Sequence, residues 1–173
     1  MAAAACAADN ASAYVTPLLA LLVATQLAAP CTGAKLSGTF AVVPGSAGAG
    51  NVAYALRLEN TSHASCTVTG IPGVTLLDRH GRRLPTHPFP AHPGALTAVL
   101  VTLAPGKTAT ATARFSPDVP GTGEPVSGRR CEPVSYTLLV RPNGGGTVRA
   151  PIRPPTPVCE HGGMTWSVLT QPR

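Results

Sequence analysis

Residues 52–59 read VAYALRLE and run into Asn60-Thr61-Ser62-His63. Val52, Tyr54, Leu56 and Leu58 fall on one side of an extended chain, with Arg57 and Glu59 on the other. That period of two is the pattern of a strand with one buried face, closed by a polar turn. Upstream, residues 36–43 form a candidate strand, and the loop GSAGAG (45–50) separates it from the first. Downstream, further strands are expected at 66–71, ended by Pro72-Gly73, and at 74–78, followed by the turn Arg79-His80-Gly81 before residues 82–85. Residues 96–103 and 107–115 bracket Ala104-Pro105-Gly106, a turn between two strands. In 134–141 the alternation places Val134, Tyr136, Leu138 and Val140 inward. Residues 147–153 read as an edge-like strand running into prolines. In 164–170, Met164, Trp166 and Val168 share a face.

Two long segments read as loops. PTHPFPAHPG (85–94) holds four prolines, which remove ladder donors and helix propensity together. Residues 117–130 are rich in turn formers, with room for a short helical turn. About nine short strands result, with no helical segment of ten or more residues to carry a parallel crossover. The expected fold class is all-β: an antiparallel, immunoglobulin-like two-sheet β-sandwich.

Cys31, Cys66, Cys131 and Cys159 frame these strands and follow an apolar run, YVTPLLALLVATQLAAP (14–30). Widely spaced cysteines without a CxxC suit two structural disulfides, which persist in oxidising compartments. The run is short for a membrane span and suits a signal segment with Ala28-Ala29 as a cleavage point. Residues 1–13 carry no Lys or Arg, so this is an irregular signal or a misassigned start, with a helix of the mature protein as the competing reading. AAAAC (2–6) has only five residues before Cys6, too few for a lipidation signal. The expected organisation is an apolar leader at 1–30 and one secreted domain at 31–173, long enough to bury a single core.

Charged residues make up 12% of the chain and the net charge is +6. Asp9 is the leader's only charge, so the domain itself is basic. With three Phe, three Tyr and one Trp, it lacks the aromatic interleaving of single-strand binders. No nucleic acid is expected, and a loose attraction to anionic surfaces is. His63, His80, His87, His92 and His161 are scattered; His87 and His92 share a loop without a carboxylate, so no metal site is assigned. There is no GxSxG elbow, and the acids Glu59, Asp78, Asp118, Glu124, Glu132 and Glu160 form no recognisable pair. Gly45 to Gly50 lacks the Lys-Ser/Thr that cradles phosphate. The chain reads as non-catalytic, with no catalytic, cofactor or metal residues.

An ordered series carries a resemblance. It runs from Asn60-Thr61-Ser62 through CTVTGIPGV (66–74), Leu77-Asp78, Gly81 and LAPGKTA (103–109) to Cys131-Glu132-Pro133. It resembles a domain of unknown function common in secreted proteins and lipoproteins of actinobacteria. The resemblance spans Cys31 to about Thr170 and implies a β-sandwich, export and four cysteines in this order. It implies no activity. The irregular leader and the Pro- and His-rich loop at 85–93 depart from it.

Four cysteines allow three connectivities, which residue spacing leaves open. Chain order favours Cys31–Cys66, pinning the amino terminus to the third strand, and Cys131–Cys159, joining the approaches to two late strands. The expectation is an exported cell-envelope or extracellular module, monomeric, binding an unidentified partner through loops at one end of a rigid scaffold. The alternatives are a passive structural envelope protein or, as minor readings, an enzyme or metal-binding protein.

Overall fold

The computed structural model describes residues 28–94, 99–126 and 130–172. Within them a single 3-10 turn, Gly33–Lys35, leads into ten strands. These are β1 (Leu36–Val42), β2 (Val52–Asn60), β3 (Cys66–Thr69), β4 (Gly73–Leu77), β5 (His87–Pro90), β6 (Leu100–Leu103), β7 (Thr108–Phe115), β8 (Ser135–Arg141), β9 (Val148–Thr156) and β10 (Gly163–Trp166). The one-turn helix α1 (Cys159–Gly162) precedes β10. No helix among the described residues is long and apolar enough to cross a membrane.

The strands form an eight-stranded sheet, ordered β4-β8-β9-β1-β2-β7-β10-β5, and a two-stranded sheet, β3-β6. The fold is thus mostly β, as composition predicts, but the large sheet is mixed and nearly barrel-shaped. This corrects the expected antiparallel arrangement: β1 runs parallel to β9, and β10 parallel to β5. The need for a helical crossover governs parallel strands that are near neighbours in sequence. Here the partners lie far apart along the chain, and the body of the domain makes the connection. Strand β9 forms the corner. Its residues 148–151 pair with β8, and Ile152 and Arg153 pair with β1. It is an interior strand and not the edge expected for residues 147–153.

The core follows the decisive stretch. Leu56 and Leu58 are fully buried and Tyr54 nearly so. Opposite them on β7 stand Ala113, Ala111 and Ala109, in register with Tyr54, Leu56 and Leu58. Small against large across one pair of strands explains why TATATARF is a strand despite alanine's weak β preference. Phe40, Tyr54, Phe115 and Trp166 meet in an aromatic cluster, with centroids 5.2 Å apart for Phe40–Tyr54 and 5.6 Å for Phe40–Trp166. The Tyr54 hydroxyl donates to the Pro154 carbonyl (3.0 Å).

Asn60 is fully buried and closes the turn after β2. Its amide donates to the Ala64 and Leu103 carbonyls (2.8 Å each), and its Oδ1 accepts from Ser62 N (3.0 Å) and Ser62 Oγ (2.7 Å). The Asn60-Thr61-Ser62 sequence is therefore a structural turn.

Three further expectations are corrected. Residues 87–90 form a strand inside the segment read as loop. Ala91 N donates to Trp166 O (2.7 Å), so the amides at 87, 89 and 91 point toward β10. Pro88 and Pro90 occupy the outward positions, where no ladder donor is required. Tyr136 is exposed, and Ser135 is buried in its place. Between Ser135 and Thr137 the register with β9 breaks, the single residue 136 standing against residues 152–155, and the inward–outward alternation of β8 is lost there. The expected strand 164–170 ends at Trp166, and beyond it Leu169 is buried while Val168 is only half-buried.

Two disulfides are present. Cys31–Cys66 has a Cα separation of 4.9 Å, and Cys131–Cys159 one of 5.4 Å. Beside the first, residues 28–30 lie along β3: Thr67 N donates to Ala29 O (2.9 Å) and Cys31 N to Thr67 O (2.8 Å). The rest of the apolar leader, with Cys6, lies outside the described residues.

Candidate functional site

The polar chemistry of the molecule gathers around Cys131–Cys159. Between Val158, extended and buried, and β10, the chain makes one tight turn. Glu160 (φ 56°, ψ 43°) and His161 (φ 57°, ψ 34°) are both left-handed, and Gly162 follows at φ 79°. Left-handed backbone costs an L-residue roughly 1–2 kcal/mol, so two in succession need compensation. Glu124 supplies it. Its Oε2 accepts from Gly121 N (2.7 Å) and Glu160 N (3.0 Å), and its Oε1 from His161 N (2.5 Å). Gly162 is required by packing as well as by φ, because a Cβ there would meet the Pro85 carbonyl.

Two other groups complete the corner. Glu132 Oε1 lies 3.8 Å from His161 Nδ1, and Glu124 Oε1 lies 3.7 Å from it. The Glu124 side chain is 2% exposed, Glu132 14% and His161 55%. His161 Nε2 is 2.9 Å from Thr122 O. A carbonyl only accepts, so Nε2 carries the proton and Nδ1 faces the two carboxylates.

The electrostatics divide the two acids. Burial pushes the Glu124 carboxyl up, but the three backbone N–H groups and the His161 ring outweigh it and hold it below its ordinary value. Burial also pushes Glu132 up, and the Glu124 charge and a carboxyl–carboxyl hydrogen bond add to the rise. His161 opposes these, and Glu132 remains above its ordinary value.

Both long loops reach this corner. Residues 85–86 press on Gly162, and the 117–126 segment reaches Glu160 and His161 through Glu124. A broad depression adjoins the second loop. It measures about 1000 Å³ and is lined by residues including Pro117, Pro125, Val126, Glu132 and Pro157. A second depression of about 310 Å³, lined by Arg79, His80, Arg82 and Tyr136 among others, shares Arg130, Pro133 and Val134 with the first. Asp78 anchors its edge. Its carboxylate accepts from His80 N (2.8 Å), Arg82 N (2.9 Å) and Arg82 Nε (2.7 Å). Burial pushes Asp78 up, and these hydrogen bonds overcome it to leave the carboxyl lowered.

Sequence reasoning named Glu124, Glu132 and His161 but did not join them. Their proximity follows from Cys131–Cys159, which brings Cys131-Glu132 beside Cys159-Glu160-His161. That pairing is the signal from which the cluster is reachable. Neither His87 nor His92 joins a group of three candidate ligand side chains among the described residues.

No curated protein and no solved structure matches the chain. The family model described as "Domain of unknown function (DUF4232)" matches residues 31–169, from the first paired cysteine through the last buried leucine. The chain therefore belongs to this family of domains of unknown function.

Proposed function

We propose that the domain is an exported, non-catalytic binding module of the cell envelope or extracellular space, and that it engages an anionic partner. The observation that carries this reading is the pair of depressions joined at Arg130, Pro133 and Val134. Arg79, Arg82 and Arg130 line the smaller depression against Asp78 alone and give it its positive charge, the acids Asp118 and Glu132 lie in the larger one, and the exposed Val126 and Tyr136 add apolar contact area. Cations beside exposed apolar and aromatic surface form a docking face for a polyanion or an acidic protein segment. The two disulfides support an oxidising, extracytoplasmic setting. We read the scaffold as an immunoglobulin-like two-layer arrangement whose layers are joined through β9, with the binding loops at one end.

Retention of the full chain on a carboxylated polysaccharide matrix, against neutral dextran, tests this reading. The chain should be retained at low salt and released as salt rises, because screening shortens the reach of surface charge to about 10 Å at 0.1 M. R79A/R130A should elute at distinctly lower salt. Equal elution of the two proteins, or no retention of either, would remove this face from the function.

A further inference from the structure

We infer that Glu124, Glu132 and His161 form a binding site for a single divalent transition-metal ion, with zinc the best-suited occupant. Glu132 also lines the larger depression described above, but the site does not rest on the basic residues of that face.

The donor atoms converge. His161 Nδ1 lies 3.7 Å from Glu124 Oε1 and 3.8 Å from Glu132 Oε1, and the three ligand atoms lie within 4.8 Å of one another. The two distances from His161 Nδ1 are too long for hydrogen bonds. Zinc bonds of about 2.1 Å in a tetrahedral array set ligand atoms about 3.4 Å apart. The two separations from His161 Nδ1 exceed that value by only a few tenths of an ångström.

The imidazole is oriented for the task. With Nε2–H held on the Thr122 carbonyl at 2.9 Å, Nδ1 is the ring atom left to face the two carboxylates. No Lys or Arg nitrogen of the described residues lies within 4.0 Å of either carboxylate. A ligating histidine whose other ring N–H is fixed by a backbone carbonyl is the usual supporting arrangement of protein zinc sites.

The site is also organised in advance. Three backbone amides hold the Glu124 carboxylate. Glu132 follows Cys131, and His161 lies two residues beyond Cys159, so the disulfide sets the distance between the segments that carry them. One imidazole and two carboxylates suit zinc in ligand type, and three protein ligands leave a coordination position for water or a partner's group. His161 is half-exposed, which keeps that position reachable from solvent.

Zinc titration by calorimetry tests the site, using the full chain with both disulfides formed and after chelator treatment. Nitrogen NMR of the His161 ring is recorded alongside. One ion should bind per chain, shifting Nδ1 while Nε2 stays protonated. E132Q and H161N should each weaken binding by about tenfold or more, and H63N should leave it unchanged. Asparagine is chosen at 161 because it tolerates the left-handed turn. Absence of a zinc-dependent Nδ1 shift in the wild-type chain, or binding that survives both substitutions, would overturn the site. So would a ring doubly protonated at neutral pH and unchanged by zinc, since a proton then supplies the positive charge.

Discussion

Cys31–Cys66 and Cys131–Cys159 span similar separations, 35 and 28 residues, yet their surroundings are opposite. The first bond is sunk in the fold, with Cys31 and Cys66 at 0% and 1% exposure, and its neighbours are Val68, Val101 and Leu103 of the small sheet. Backbone hydrogen bonds surround it: Cys31 N donates to Thr67 O, and Cys31 O accepts from Gly144 N. The second bond lies beside a buried carboxylate, with Glu124 within 4.8 Å of both sulfurs, and it underpins a left-handed turn that carries His161. The same covalent link closes a sheet in one place and holds charged side chains together in the other.

The chain-entropy model assigns these two loops nearly equal stabilisation, about 3.8 and about 3.6 kcal/mol, so a measured difference reports on their surroundings. C31A/C66A should show the largest loss, about 4 kcal/mol or more by urea unfolding, because it also leaves space in a dry, fully buried site. C131A/C159A should lose about 3 kcal/mol. A larger loss for the second pair would break the contrast.

E124Q should cost about 2 kcal/mol, the scale of charge-assisted hydrogen bonds lost from a buried acceptor. Hydrogen exchange at the Glu160 and His161 amides should rise with it. Unchanged protection would mean that the left-handed turn holds without the carboxylate.

The smallest effect sharpens the comparison by moving it to an exposed turn. Asp78 accepts two backbone N–H bonds where Glu124 accepts three, and it sits in the 78–82 turn with a largely exposed Arg82 as its partner. Its lowered carboxyl contributes stability at pH above the unfolded value, and that contribution fades as pH falls through the folded one. D78N should therefore be less stable at neutral pH and lose less on acidification, as thermal melts across the carboxylate range would show. A D78N acid profile parallel to wild type would deny Asp78 this role.

The parts of the fold legible in sequence are those encoded locally. The alternation of Val52, Tyr54, Leu56 and Leu58 places β2, and the polar run after it places the Asn60 turn. What eluded sequence reasoning depends on partners distant in the chain. Pro88 and Pro90 argue against a strand until β10 is known to lie on the other side of the backbone. Tyr136 reads as inward until the irregular pairing of β8 with residues 152–155 of β9 is known. Glu160 and His161 carry no local mark of left-handed backbone, because the carboxylate that stabilises it lies 36 residues from Glu160. The parallel contacts of β1 with β9 and β5 with β10 join segments whose register no short-range pattern encodes. Glu132 and His161 could be joined through the expected Cys131–Cys159 pairing, but nothing in the local sequence places Glu124 beside them.

Strand β5 closes one end of the large sheet, and its outward positions are Pro88 and Pro90. A second copy approaching this edge would find no amide hydrogens there with which to extend the ladder, so edge-to-edge addition of strands is blocked. The HPFP segment, which makes the stretch look unstructured in sequence, is then a guard against self-association. Many copies can crowd together while this edge of the sheet stays closed to its neighbours.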